Sequence, residues 1–205
     1  FSFKKYTGRQ LPWGSLTGIR PTKLAREYSA ADGASRALLE KYDLPLEKGE
    51  LLEDICRNQE EFYHPQENEI DVYIGIPFCR TRCTYCSFSS TDSTKGEKLM
   101  APYIEALLTE IDQTAALLEK LNKQIRCLYI GGGTPTALTE ALFEKMLRYV
   151  CRAFRPQKEF TVEAGRPDTI TREKLSVLKK HGVSRLSVNP QTMNQETLDI
   201  IGRRH

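Results

Sequence analysis

The chain has 205 residues, 40% hydrophobic and 28% charged, the composition of a globular protein long enough to bury one sizeable core. No apolar run approaches the roughly 18 to 20 residues of a membrane-spanning helix and no hydrophobic leader opens the chain, so a cytoplasmic setting without a membrane partner is expected. The formal net charge of +3, with Lys and Arg evenly mixed among Asp and Glu, argues against a nucleic-acid partner.

The chain begins at Phe1 rather than at a methionine, as a processed protein or a segment of a longer one would. Residues 1–68 are rich in Tyr, Pro and charge, and are expected to form a mostly helical N-terminal segment. Helical stretches are predicted over Ser35 to Tyr42 and Glu50 to Asn58. The run Leu16 to Leu24 has the look of a helix start, with Pro21 tolerated in a first turn. Spacing alone assigns no chemistry to this segment.

From about Ile70 onward strands and helices alternate, which predicts an α/β unit over 69–205. The first strand, near Asp71 to Ile76, carries Ile70, Val72, Ile74 and Ile76 at period two. A helix near Glu97 to Asn122 follows, with Ile104, Leu107, Ile111, Leu118 and Leu121 on one stripe. Ile125 to Ile130 is a short apolar strand of buried type, and Leu142, Met146, Val150 and Phe154 mark the next helix. A strand at Glu159 to Glu163 leads to a helix near Thr171 to His181, with Thr171 as N-cap and Gly182 as its stop. A strand at Arg185 to Val188 and a short helix between Asn194 and Gly202 complete the series. Strands separated by helices pair in parallel, and the loops after their C-terminal ends gather on one rim, where such sheets bind ligands.

The distinctive motifs fall on that rim. After the first strand come Cys79, Cys83 and Cys86, a C-x-x-x-C-x-x-C run with no fourth ligand nearby; Cys56, Cys127 and Cys151 are isolated in helical or strand segments. On a helix these thiols would spread over about 10.5 Å of axis, too far for one ion, and Pro77 with the Ser/Thr/Gly-rich stretch Ser87 to Gly96 favours a loop. Three thiolates suit an iron-sulfur cluster with one open iron; a zinc half-site or a simple disulfide is the plainer alternative. Clustered thiols also fit a reducing compartment.

Gly131, Gly132 and Gly133, followed by Thr134 and Pro135, let backbone approach a ligand closely, or simply make a tight strand-to-helix turn. The run lacks the residues of a P-loop or dinucleotide fingerprint. Glu163 to Arg166 closes the third strand and Asn189-Pro190-Gln191 the fourth. A lone Glu163 is unspecific, and Arg203 with Arg204 reads equally as a basic terminal turn. His181 is expected at a helix C-terminus, where the dipole favours a cation, without a ligand role.

Taken together, the cysteine loop after a first strand, with Tyr85 just before its last cysteine, and Gly-Gly-Gly-Thr-Pro after a second resemble the radical S-adenosylmethionine (SAM) superfamily. Tyr73 to Cys79, Tyr129 to Thr136, Val162-Glu163 and Arg185 to Gln191 are similar to the oxygen-independent coproporphyrinogen III oxidases; Trp13 to Lys23 and Pro190 to Asn194 are most similar to their Firmicute-type branch. The resemblance implies a partial (βα) barrel, here about four βα units, with further elements normally following. It implies a 4Fe-4S cluster on Cys79, Cys83 and Cys86, and SAM chelated to its fourth iron. Contacts to the cofactors are implied for Tyr73, Tyr85, Gly131, Gly132, Gly133, Thr134, Glu163, Gln191 and Arg203. The implied chemistry is reduction of SAM to a 5′-deoxyadenosyl radical, which oxidatively decarboxylates coproporphyrinogen propionates to vinyl groups, with electrons from a flavodoxin- or ferredoxin-like donor to a monomeric protein. Phe88 stands where well-studied members carry a further cysteine, and Gly75 where they carry histidine; both features fit the related haem chaperones. The chain of four βα units alone is expected to be inactive, with an unpaired sheet edge.

Overall fold

The computed structural model describes residues 2–16, 20–28, 34–64, 66–156 and 158–203. Part of the Leu16 to Leu24 run and both Arg204 and His205 lie outside these. The chain divides into two compact units, Phe1–His64 and Pro65–His205, ahead of the 68/69 boundary expected from sequence.

The first unit is helical: α1 (Ser2–Thr7), α2 (Pro21–Tyr28), α3 (Ala34–Tyr42), α4 (Leu46–Asn58) and α5 (Glu60–Tyr63). Pro21 opens α2, where a missing amide costs nothing. Leu16, Ala25, Leu38, Leu44, Leu52 and Cys56 form its core. Glu53 of α4 caps the first turn of α3, accepting from the Ser35 amide at 2.8 Å and its hydroxyl at 2.9 Å; these bonds lower its pKa.

The second unit holds a four-stranded parallel sheet of β1 (Glu69–Ile76), β4 (Gln124–Gly132), β5 (Glu159–Glu163) and β6 (Arg185–Ser187), in the spatial order β1-β4-β5-β6. A second, two-stranded ladder, β2 (Phe78–Cys79) with β3 (Thr91–Asp92), lies inside what sequence suggested was plain loop. Helices α6 (Glu97–Lys120), α7 (Glu140–Ala153) and α8 (Arg172–Lys180) join the strands of the large sheet, and α9 (Gln195–Ile200) follows β6. Thr139, Thr171 and Asn194 cap α7, α8 and α9 by accepting from amides three residues on.

Alternate residues of each strand enter the core: Ile74 and Ile76, Leu128 and Ile130, and Phe160 and Val162 pack with Ile104, Phe143, Met146 and Leu178 of the helices. The intervening residues, Tyr73 and Gly75, Tyr129 and Gly131, and Thr161 and Glu163, face the other way, as period-two geometry requires. The second strand runs two residues further than expected. Gly131 and Gly132 belong to β4 because they stay paired with Gly75 and Ile76.

Candidate active site

The cysteine loop is fastened at its base. The Thr91 amide donates to the Pro77 carbonyl at 2.8 Å and the Ser93 amide to that of Cys79 at 2.7 Å. The end of β4 continues alongside, with the Gly133 amide on Ile76 and the Thr134 amide on Phe78, both at 2.8 Å. Cys79 therefore stands beside the glycine turn, its Sγ 3.4 Å from the Thr134 hydroxyl. A cleft of about 180 Å³ opens here, and Cys79, Cys83 and Cys86 all reach its wall. All three are free thiols. Among the described residues no three His, Cys, Asp or Glu side chains gather tightly enough for a single metal ion. Cluster thiolates bind different irons and need no such convergence.

Backbone forms the second wall. Gly132 adopts φ +103°, a conformation that side chains oppose, and a Cβ there would sit 2.9 Å from the Ile76 amide nitrogen. At Gly133 a Cβ would stand 2.7 Å from the Phe78 carbonyl and 3.0 Å from Cys79 Sγ. A side chain at Gly133 would push into the cysteine loop.

Glu163 lines the cleft from the end of β5. The Tyr129 hydroxyl donates to its Oε1 at 2.5 Å, and that bond, with burial second, pushes the phenol up to about 12. Tyr73 stacks on Tyr129 with ring centroids 5.7 Å apart. Gly131 lies beneath this pair, where a Cβ would meet Glu163 Oε2 at 2.9 Å. Tyr73 and Gly131, expected to touch cofactor, thus fall outside the wall of the cleft. Tyr73 sits three residues below the strand end, and Gly131 is roofed by the Glu163 carboxyl.

Gln191, Tyr85 and Arg203 join the wall as expected. Gln191 takes a left-handed φ of +69°. Burial raises the Tyr85 pKa, with Arg203 pulling it down and Cys83 adding to the rise. Arg203 is no loose terminal turn: it is 4% exposed, and its Nη2 donates to the carbonyls of Gly165 at 2.9 Å and Asn189 at 2.6 Å. Its Nε is buried without a hydrogen-bond partner among the described residues. Such an orphan donor fits an anionic ligand group such as a carboxylate. Open backbone, three thiols and an unsatisfied guanidinium on one cleft fit a cluster with a zwitterionic cofactor beside it.

Sequence reasoning put Arg166 and Asn189 on the rim without giving either a role and passed over Thr81; all three line the cleft. Buried arginines are uncommon, and only Asp168, two residues on, hinted at a partner for Arg166. His181 ends α8 as expected; burial and then Lys180 lower its pKa, opposing the helix dipole.

The profile of the radical SAM superfamily matches residues 73–205. The chain is 37% identical to a Bacillus subtilis protein named oxygen-independent coproporphyrinogen-III oxidase-like protein HemZ, over 98% of this chain and 42% of that one. It is 38% identical to the heme chaperone HemW of Bacillus subtilis, over 65% of this chain and 35% of the relative. Among solved structures, coproporphyrinogen III oxidase (HemN) from Escherichia coli, described as a radical SAM enzyme, matches with a TM-score of 0.60 and 27% identity, covering 74% of this chain and 34% of that one. The chain therefore spans less than half the length of these relatives. No helix of the described residues is long and apolar enough to cross a membrane.

Proposed function

The chain belongs to the radical SAM superfamily, which implies a 4Fe-4S cluster and SAM, and on that premise we propose that Cys79, Cys83 and Cys86 hold the cluster in an oxidase that converts coproporphyrinogen III propionates to vinyl groups without oxygen. One observation carries this reading. The three thiols, the Gly132–Thr134 turn and Arg203, whose buried Nε has no partner among the described residues, share one cleft at the C-terminal rim of a parallel sheet.

Together the bound groups supply one-electron chemistry that draws a hydrogen atom from an unactivated C–H bond. The residues of the chain bind and orient. Gly132 and Gly133 admit a ligand to within contact of backbone, and Arg203 Nε donates to its carboxylate. Glu163, with Oε1 held by Tyr129, keeps Oε2 for an ammonium. Thr134, 1% exposed, buttresses Cys79. Partial enclosure of the cleft keeps these charged contacts strong. An electron donor protein and a tetrapyrrole substrate belong to the same proposal.

A second reading is a haem chaperone of the same superfamily. Phe88 lines the cleft at 58% exposure where the oxidase pattern has a cysteine, and Gly75 stands in place of its histidine. The likeness to relatives named as haem chaperones supports it too.

Anaerobic reconstitution with iron and sulfide tests the shared part. The expected product is brown and, once reduced with dithionite, gives an electron paramagnetic resonance signal that changes on adding SAM; a colourless, zinc-loaded protein overturns it. Incubation of the reconstituted full-length protein with SAM, a reductant and coproporphyrinogen III and, separately, with haem then divides the readings. Vinyl product identifies the oxidase; retained haem without SAM cleavage identifies the chaperone.

A further inference from the structure

We propose that Arg166 is a positioning residue for the cysteine loop: its buried guanidinium, reaching from the segment after β5, grips Thr81 between Cys79 and Cys83 and so sets where those thiols stand. This rests on the reading that the loop carries a cluster.

Arg166 is 2% exposed, and a charge so deeply buried is costly unless fully paired. Its Nε donates to Asp168 Oδ1 at 3.0 Å. Its Nη1 turns the other way, to the Thr81 hydroxyl at 2.6 Å and the Thr81 carbonyl at 3.4 Å. A planar guanidinium has the fixed fork to serve both sides at once; a lysine does not. Arg80, next in the loop, returns the contact: its Nη1 donates to the Asp168 carbonyl at 2.9 Å and lies 3.7 Å from the carboxylate. Residues 80 and 81 are thus tied at two points to residues 166 and 168.

Thr81 passes the restraint on. Having accepted from Arg166, its hydroxyl donates to the Gly202 carbonyl at 2.8 Å, and the Thr84 amide donates to Ile201 at 3.1 Å. The Cys79–Cys83 span is therefore pinned between two rim segments, of which the second leads into Arg203. Thr84, between Cys83 and Cys86, carries the tie past Cys83, and the Cys86 amide closes that turn on the Cys83 carbonyl at 3.1 Å. Position in this loop comes from Arg166 and its neighbours rather than from apolar packing.

A purely structural ion pair with Asp168 would show in global stability alone, so the test reads the loop itself. In the apo chain, trypsin cleavage after exposed Arg82 is followed in wild type, Arg166→Lys and Thr81→Val. Both variants are expected to be cut there about tenfold faster, the loss of roughly one charge-assisted hydrogen bond from a local opening equilibrium. Thr81→Val leaves the Arg166–Asp168 pair intact and guards against a variant that merely fails to fold. After reconstitution, both should retain several-fold less iron and give an altered SAM-dependent paramagnetic signal at unchanged helix content. Wild-type cleavage rates and wild-type spectra in both variants overturn the inference. So does faster cleavage at every site alike. Should the wild-type chain itself take up no iron, the cluster reading falls, while the cleavage comparison still decides whether Arg166 holds the loop.

Discussion

In the helical unit the buried side chains of the core are Leu16, Ala25, Leu38, Leu44, Leu52 and Cys56, whereas the sheet unit buries Thr134, Thr136, Thr161, Arg166, Thr169, Lys174 and Arg203 beside its aliphatic core. Burying a polar group costs free energy unless it is bonded, so the second list marks places where polarity is retained for a reason. Most of its members are bonded to backbone or to one another. Lys174 donates to the carbonyls of Thr136 at 2.7 Å and Thr169 at 3.2 Å, and burial depresses its pKa. Arg203 is only partly satisfied, and it lines the cleft. One unit is held by packing; the other spends polar contacts on holding loops at a rim.

Four perturbations would break or sharpen that contrast. Replacing Cys79, Cys83 and Cys86 together by Ala should abolish iron uptake entirely, read by iron analysis, while helix content and the unfolding of the helical unit stay as they were. Leu52→Ala should destabilise the helical unit by about 2–5 kcal/mol in denaturant unfolding. Iron loading of the sheet unit should persist; loss in step would show that the units depend on one another.

Gly132→Ala should cost about 1–3 kcal/mol from its left-handed backbone and weaken SAM binding in calorimetry, the contact with Ile76 adding to the strain. Normal stability and SAM binding would mean the turn can shift. Tyr129→Phe should cost about 0.5–1.5 kcal/mol. Because Glu163 raises the Tyr129 pKa to about 12, above its ordinary value near 10, that stabilisation is complete below pH ~10 and lost as pH rises through about 12. Ultraviolet titration should show one fewer late-titrating tyrosine in the variant than in the wild type, with unfolding curves of the two converging in that window.

Periodic features were readable before the fold was known. Ile74 and Ile76 at period two and Ile104, Leu107 and Ile111 at helical spacing placed β1 and α6 to within two residues, and Thr171 was legible as a cap. The cysteines, the glycine turn and Glu163 announced the rim because each follows a strand. What escaped had no periodicity or depended on distant partners. Two-residue strands β2 and β3 leave no pattern to count. Arg166 meets Thr81 across 85 positions of sequence, and nothing local in either foretells the other. Tyr129 read as part of an apolar strand, while its hydroxyl serves Glu163. Tyr73, expected beside the cofactors, stacks on Tyr129 instead of lining the cleft, a contact that strand periodicity does not foretell.

The bonds that join Pro77 to Thr91 and Cys79 to Ser93 make the intervening chain a noose with a knotted neck. Slack added after the last thiol, between Cys86 and Phe88, would meet none of the ties that hold Thr81 and Thr84; doubling a flexible loop costs only about 0.6 kcal/mol. One residue inserted between Arg80 and Arg82 would instead slip the strand of chain that Thr81 anchors. Tolerance to length change is therefore lopsided, generous after the last thiol and nearly absent between the first two, and it offers protein engineers a defined place to append a reporter.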